Sequence, residues 1–187
     1  MSRQTWGETL WYATASGTPV TNTTTETIVF PNVTIPANYM QDSRTLRIRA
    51  QGQWSTGTGP PTVIFGLRWG GVAGVMIAKT AACTLVASVT AAQWDLDIMV
   101  QTRTNGATGT LFGIGVARVH AGVAGTVASA TGEGLVTPMA VAGVLAPAVS
   151  AAADLTADTA LSLTATWSAS STSHTLTGLM YFGESLN

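Results

Sequence analysis

The sequence predicts an all-β fold, an antiparallel β-sandwich with little or no helix. Thr45–Trp54, TLRIRAQGQW, sets Leu46, Ile48, Ala50, Gly52 and Trp54 on one parity and Arg47, Arg49, Gln51 and Gln53 on the other. Side chains of a strand alternate faces, so this reads as a half-buried antiparallel strand. Trp94–Arg103 repeats the pattern, with Trp94, Leu96, Ile98 and Val100 inward and Asp95, Asp97, Gln101 and Arg103 outward. In Leu161–Trp167, Leu161, Leu163, Ala165 and Trp167 alternate with Ser162, Thr164 and Thr166. Ile48→Asp is expected to prevent folding or assembly and Gln51→Asp to be tolerated, because only the first charges the inward face.

From the start of the chain, residues 1–25 carry Trp6, Trp11 and Tyr12 and then the stretch GTPVTNTTTE. They read as an N-terminal arm, or a first strand, followed by a loop. Met1–Tyr12 as an anchoring arm and Leu10–Ala13 as the first sandwich strand, with Trp11 as a core plug, both remain open. Residues 26–187 read as one sandwich domain, a routine size for this class. Thr27–Val33 with Ile35 forms a short strand, confined to an edge or ended by Pro31 and Pro36. Beyond the turn at Asn38–Arg44 and the strand 45–54, the Gly57–Pro61 turn leads into Thr62–Trp69. Gly70-Gly71 then turns the chain back into Val72–Lys79. Thr84–Val89 leads into the strand at Trp94, and Asn105-Gly106 signals a hairpin to Thr110–His120. Thr159–Trp167 and Thr175–Phe182 close the chain across the Ser168–Ser173 loop. Trp54, Trp69, Trp94 and Trp167 end or begin strands on the inward parity, as aromatic plugs of a sandwich do.

Segment 121–153 is an apolar, charge-poor insertion. Leu135–Ala153 has the length of a membrane span, but Pro138 and Pro147 interrupt it and no basic flank follows. It reads as a strand plus a loop packed against a neighbouring subunit, since so large an apolar surface does not stay in water. Only 9% of the 187 residues are charged, against about 25% in ordinary soluble domains. Such a surface suits an assembly. The net charge of −1 excludes a footprint for nucleic acid built on overall basicity. Seven of the eight basic residues are Arg, and all lie between Arg3 and Arg118. Arg is enriched at interfaces and Lys depleted, and a compositional bias of the genome explains the same count.

No catalytic, metal or cofactor-binding residues are assigned, and no enzyme activity is expected. His120 and His174 lie in no ligand spacing. Asp95 and Asp97 share a strand face without a further oxygen cluster for calcium. No nucleophile elbow, phosphate loop or carboxylate pair is present. Cys83 is alone among Ala81, Ala82 and Leu85 and reads as an inert small core residue. The start of the sequence lacks the n- and h-regions of a signal peptide, so the sequons at Asn22 and Asn32 are taken as chance.

Four segments in order carry a resemblance: ETIVFPNVTIPANYMQDSRTLRIRAQGQWST, TVIFGLRWGG, the W-D-L-D strand with TNGATGTLFGIG, and LTATWSASSTSHTLTGLMYFGE. The set resembles small β-sandwich, jelly-roll-like structural proteins of tailed bacteriophages. It covers about residues 26–120 and 159–187, while 121–153 departs from the plain hairpin and leaves the strand count open. The resemblance implies a virion protein made in the host bacterial cytoplasm and carried on the capsid surface. There it would act as a decoration (cement) protein, usually trimeric and bound to the phage major capsid protein, without cofactors, nucleic acid or membrane. Arg3, Trp6, Trp11 and Tyr12 are the candidate interface residues, being of the types that dominate hot spots. A tail-fibre, baseplate or receptor/glycan-binding module is the alternative, and a trimeric bacterial coat protein a third.

Overall fold

The computed structural model describes residues 7–120, 135–141 and 147–186. They form thirteen strands, with every pairing antiparallel and no helix among the described residues. In chain order these are β1 (Glu8–Tyr12), β2 (Val20–Thr21), β3 (Thr27–Ile28), β4 (Val33–Ile35), β5 (Thr45–Ser55), β6 (Thr62–Trp69) and β7 (Val75–Thr80). There follow β8 (Cys83–Thr84), β9 (Ala92–Thr104), β10 (Thr110–Val119), β11 (Leu135–Ala140), β12 (Thr159–Trp167) and β13 (Thr175–Ser185). Hydrogen bonding runs along one path, β1-β13-β5-β9-β10-β11-β7-β6-β12-β3, and β4 also pairs with β12. The sheet curls so that β13, β5, β9 and β10 face β7, β6 and β12 across one core. Phe65 of β6 meets Trp94 of β9 at 5.2 Å between ring centroids, and Phe30 stacks on Tyr181 of β13 at 4.9 Å.

Strand β11 joins the two layers. It pairs with β10 over six residues and with β7 only at Met139 and Ala140. Pro138 therefore sits where the β7 side is unpaired, the edge-like setting in which a strand tolerates a residue without an N–H. The strand expected within the apolar insertion is thus part of the sheet. The remainder of that segment at 121–134 and 142–146 lies outside the described residues.

Parity in β5 and β9 follows the sequence pattern. Leu46, Ile48, Ala50, Trp54, Trp94, Leu96, Ile98 and Val100 are all buried, and the register pairs Ile48 with Ile98. The four tryptophans at strand ends are buried, and each indole N–H donates to a carbonyl of another segment. Trp54 reaches His120 at 3.1 Å, Trp69 reaches Asp154 at 2.9 Å, Trp94 reaches Gln53 at 3.3 Å and Trp167 reaches Val20 at 3.1 Å. Each ring fills the core and its polar edge pins a connection, so no indole N–H of the four is left unpaired at burial.

The hairpin signalled at Asn105-Gly106 joins β9 to β10 through five residues, Asn105–Gly109. Gly106 takes the left-handed conformation and its carbonyl accepts from Gly109 and Leu155. One local reading changes: the strand expected over 27–35 is split into β3 and β4 around Pro31, and Phe30 turns inward onto Tyr181. Gly178 makes that inward turn possible, since a Cβ there would collide with the Phe30 ring.

The outward face of β12 is not wet. Ser162 and Thr164 are both fully buried, because the chain at 26–32 lies across them. Ser162 donates to Asn32 Oδ1 at 2.7 Å and Thr164 donates to Glu26 Oε1 at 2.6 Å. Glu26 also takes both arms of the Arg68 guanidinium, at 2.6 and 2.7 Å. Burial pushes the Glu26 carboxyl up, but the hydrogen bonds from Arg68 and Thr164 outweigh it and leave it below its ordinary value of 4.5. A depressed carboxylate stabilises the fold above its unfolded-state value, and that share is lost as pH falls below about 4.5. Glu26→Gln is expected to cost about 1–2 kcal/mol at pH 7, as for a charge-assisted pair at a half-buried site. It should also flatten the acid limb of a Tm-versus-pH curve. An unchanged acid limb would show that the pair contributes nothing to folding.

Candidate interaction surface

The outer face of β13, β5, β9, β10 and β11 is a ladder of ion pairs interleaved with apolar side chains. Register sets Met180 beside Gln51, Asp95, Arg118 and Val136 in one row across the strands. The next row holds Phe182, Arg49, Asp97, Val116 and Pro138, and the third Glu184, Arg47, Met99 and Ile114. Met99, Ile114, Val136 and Met180 are exposed.

Three arginines of the face are ion-paired within it. Arg47 grips Asp97 with two hydrogen bonds, at 3.0 and 2.6 Å, and Arg49 adds a contact at 3.3 Å. Arg118 donates to Asp95 at 2.7 Å, and His120 Nε2 lies 3.0 Å from the other oxygen of the same carboxylate. The hydrogen bond from Arg47 is the main reason the Asp97 carboxyl is held below its ordinary value, against the opposing effect of burial. Asp95 and Asp97 therefore serve as cross-strand partners of arginines. Among the described residues no group of three or more His, Cys, Asp or Glu is placed to hold a metal ion. His174 is buried, stacks on Trp167 and accepts from the Gly57 amide at 3.3 Å. Cys83 is buried and burial pushes its thiol up, away from the reactive thiolate. No described helix is long and apolar enough to cross a membrane.

Of the residues singled out in the sequence, Arg3 and Trp6 lie outside the described residues. Trp11 and Tyr12 belong to β1, an edge strand paired with β13, so 8–12 is sheet. Trp11 is half-buried and tilts against Tyr181 at 5.7 Å, lying over Gly183, where a Cβ would strike the indole. Tyr12 is 71% exposed. Beside them a cleft of about 260 Å³ runs between Trp11–Ser16 and Phe30–Val33, with Tyr181 in its lining. The apolar members of the ladder were not singled out from sequence. The available signal was Met99, an apolar residue on the outward parity of its strand.

No family model matches the chain, and no curated protein matches it. Among solved structures it is similar to the CBM2 module of the evolved Dit of Lactobacillus casei BL23 phage J-1. The two share 10% identity over 96% of each chain, at a TM-score of 0.36.

Proposed function

We propose that this chain is a non-enzymatic virion structural protein, a decoration (cement) protein that binds the outer surface of a tailed-phage head and stabilises it. The observation that carries the reading is the ladder face. Its exposed Met and Ile side chains alternate with arginines that are ion-paired to Asp95 and Asp97, the composition of a surface built to be covered by protein. Internally paired charges can be buried against a partner with less desolvation cost than free ones. The partner in this reading is the major capsid protein. Repetition over a symmetric shell sums modest contacts through avidity.

Purified protein added to heads lacking it should bind stoichiometrically and raise their thermal resistance. A cryo-EM reconstruction should then place its density on the head. Density on the tail alone, or none, would overturn the reading. A tail-fibre, baseplate or receptor-binding module is the second reading, favoured by the exposed Tyr12 beside the aromatic cleft at the sheet edge.

The assembled form in this reading is a homotrimer, held partly by segment 119–153. Val136 and Val149 in that segment are 59% and 49% exposed. Sedimentation equilibrium at micromolar concentration should give three times the mass of the 19.2 kDa chain. A stable monomer would remove the segment from that role.

A further inference from the structure

Among the described residues the curled sheet does not close. Its path begins at β1 and ends at β3, with β4 alongside, and the 260 Å³ cleft lies between those ends, walled by Trp11–Ser16 on one side and Phe30–Val33 on the other. The lining contains no charged residue. Trp11, half-buried, and Tyr12, exposed, offer ring surface to it, Phe30 and Tyr181 line it but are each only 2% exposed, and Thr14, Ser16 and Asn32 bring hydroxyl and amide groups. Two lining residues also carry polar atoms that are shielded from solvent and have no partner among the described residues. These are Trp11 Nε1 and Tyr181 Oη. Three further unpartnered buried atoms, Tyr39 Oη, Arg44 Nε and Thr102 Oγ1, lie away from the cleft, whereas the buried indoles at the strand ends all donate to carbonyls, so Trp11 is the exception among the described indoles. A buried polar group left unmatched costs stability, and native structures keep few without a reason.

We propose that this seam is a binding site for a neutral saccharide. The ligand chemistry follows from the lining. A sugar ring offers apolar C–H faces to the electron-rich faces of aromatic rings, and its hydroxyls both donate and accept, so they match an indole N–H, a phenol, an amide and hydroxyls at once. An uncharged lining gives no advantage to an anionic or cationic ligand. The inference deepens the binding-module reading and holds wherever the chain sits on a particle, because it concerns the isolated domain.

The test is a titration of the purified ¹⁵N-labelled full chain with cellotriose, maltotriose, mannotriose and N-acetylchitotriose, following indole N–H resonances. The Trp11 signal is the one absent from Trp11→Phe. At least one neutral trisaccharide should shift it saturably below about 10 mM, an affinity in the millimolar range or better. Tyr12→Ala, at an exposed position, should weaken binding ~10-fold without lowering Tm. Tyr181→Phe should weaken binding several-fold while Tm holds or rises, since it deletes an unmatched hydroxyl. No shift of the Trp11 signal with any of the four sugars would overturn the proposal. So would equal binding by Tyr12→Ala and Tyr181→Phe. A shift produced only by an extended Thr/Val-rich octapeptide would assign the seam to strand addition instead.

Discussion

Ile48→Asp should leave the chain unable to fold, whereas Gln53→Asp should express and melt like the parent. Ile48 is 1% exposed, centred in β5 between Gly183 of β13 and Ile98 of β9. Its carboxylate replacement would face the inner surfaces of both layers with no cation among the buried residues around it. An unpaired buried charge costs several kcal/mol, a large share of a net stability of about 5–15 kcal/mol. Gln53 is exposed on the other face of the same strand and pairs in register with Gln93. It is a cleaner control than Gln51, which opposes Asp95, so a carboxylate at 51 meets a like charge worth up to about 1 kcal/mol. Soluble yield, far-UV circular dichroism and Tm of the three variants check the assignment. Equal stability of the Ile48 and Gln53 variants would show that the faces are exchanged.

Trp94→Ala is expected to cost about 4 kcal/mol, and Trp94→Phe clearly less. The indole is fully buried, tilts on Phe65 of the facing layer at 5.2 Å, and donates to the Gln53 carbonyl at 3.3 Å. Alanine removes the contact between layers and opens a cavity on the β9 side of the core. Phenylalanine keeps much of the ring and loses the hydrogen bond, worth roughly 1 kcal/mol. Chemical denaturation at pH 7 separates the two. A cost below about 2 kcal/mol for alanine would mean that the layers collapse around the site.

Legibility in the sequence followed how local the cause was. β5 and β9 declare themselves because alternation is a property of the strand alone, and the aromatic strand ends do so because Trp54, Trp69, Trp94 and Trp167 share that parity. Ser162 and Thr164 read as solvent-facing for the same reason. They are buried because Glu26, Asn32 and Arg68 arrive from far away in the chain to cover and satisfy them. No window around β12 contains that information. The ladder face was half legible. Asp95, Asp97, Arg47 and Arg49 were placed outward, but their pairing depends on the register between β5 and β9, which tertiary packing decides. Likewise the cleft joins Trp11 to Tyr181 across nearly the whole chain, and neither residue alone announces it.

Strand β11 has a consequence for behaviour in a crowd. Two separate sheets would carry four unpaired borders, each a template on which another chain can grow by backbone pairing. By bonding to both β10 and β7, β11 joins the layers into one path whose two ends in the described sheet are short strands: β1 with five residues, beside β2 with two, at one end, and β3 and β4 with two and three at the other. The long strands β5 and β9 are interior to the path. Many copies can therefore be synthesised side by side and packed at high density while contact between them runs through side chains, which select their partner, rather than through open backbone, which does not.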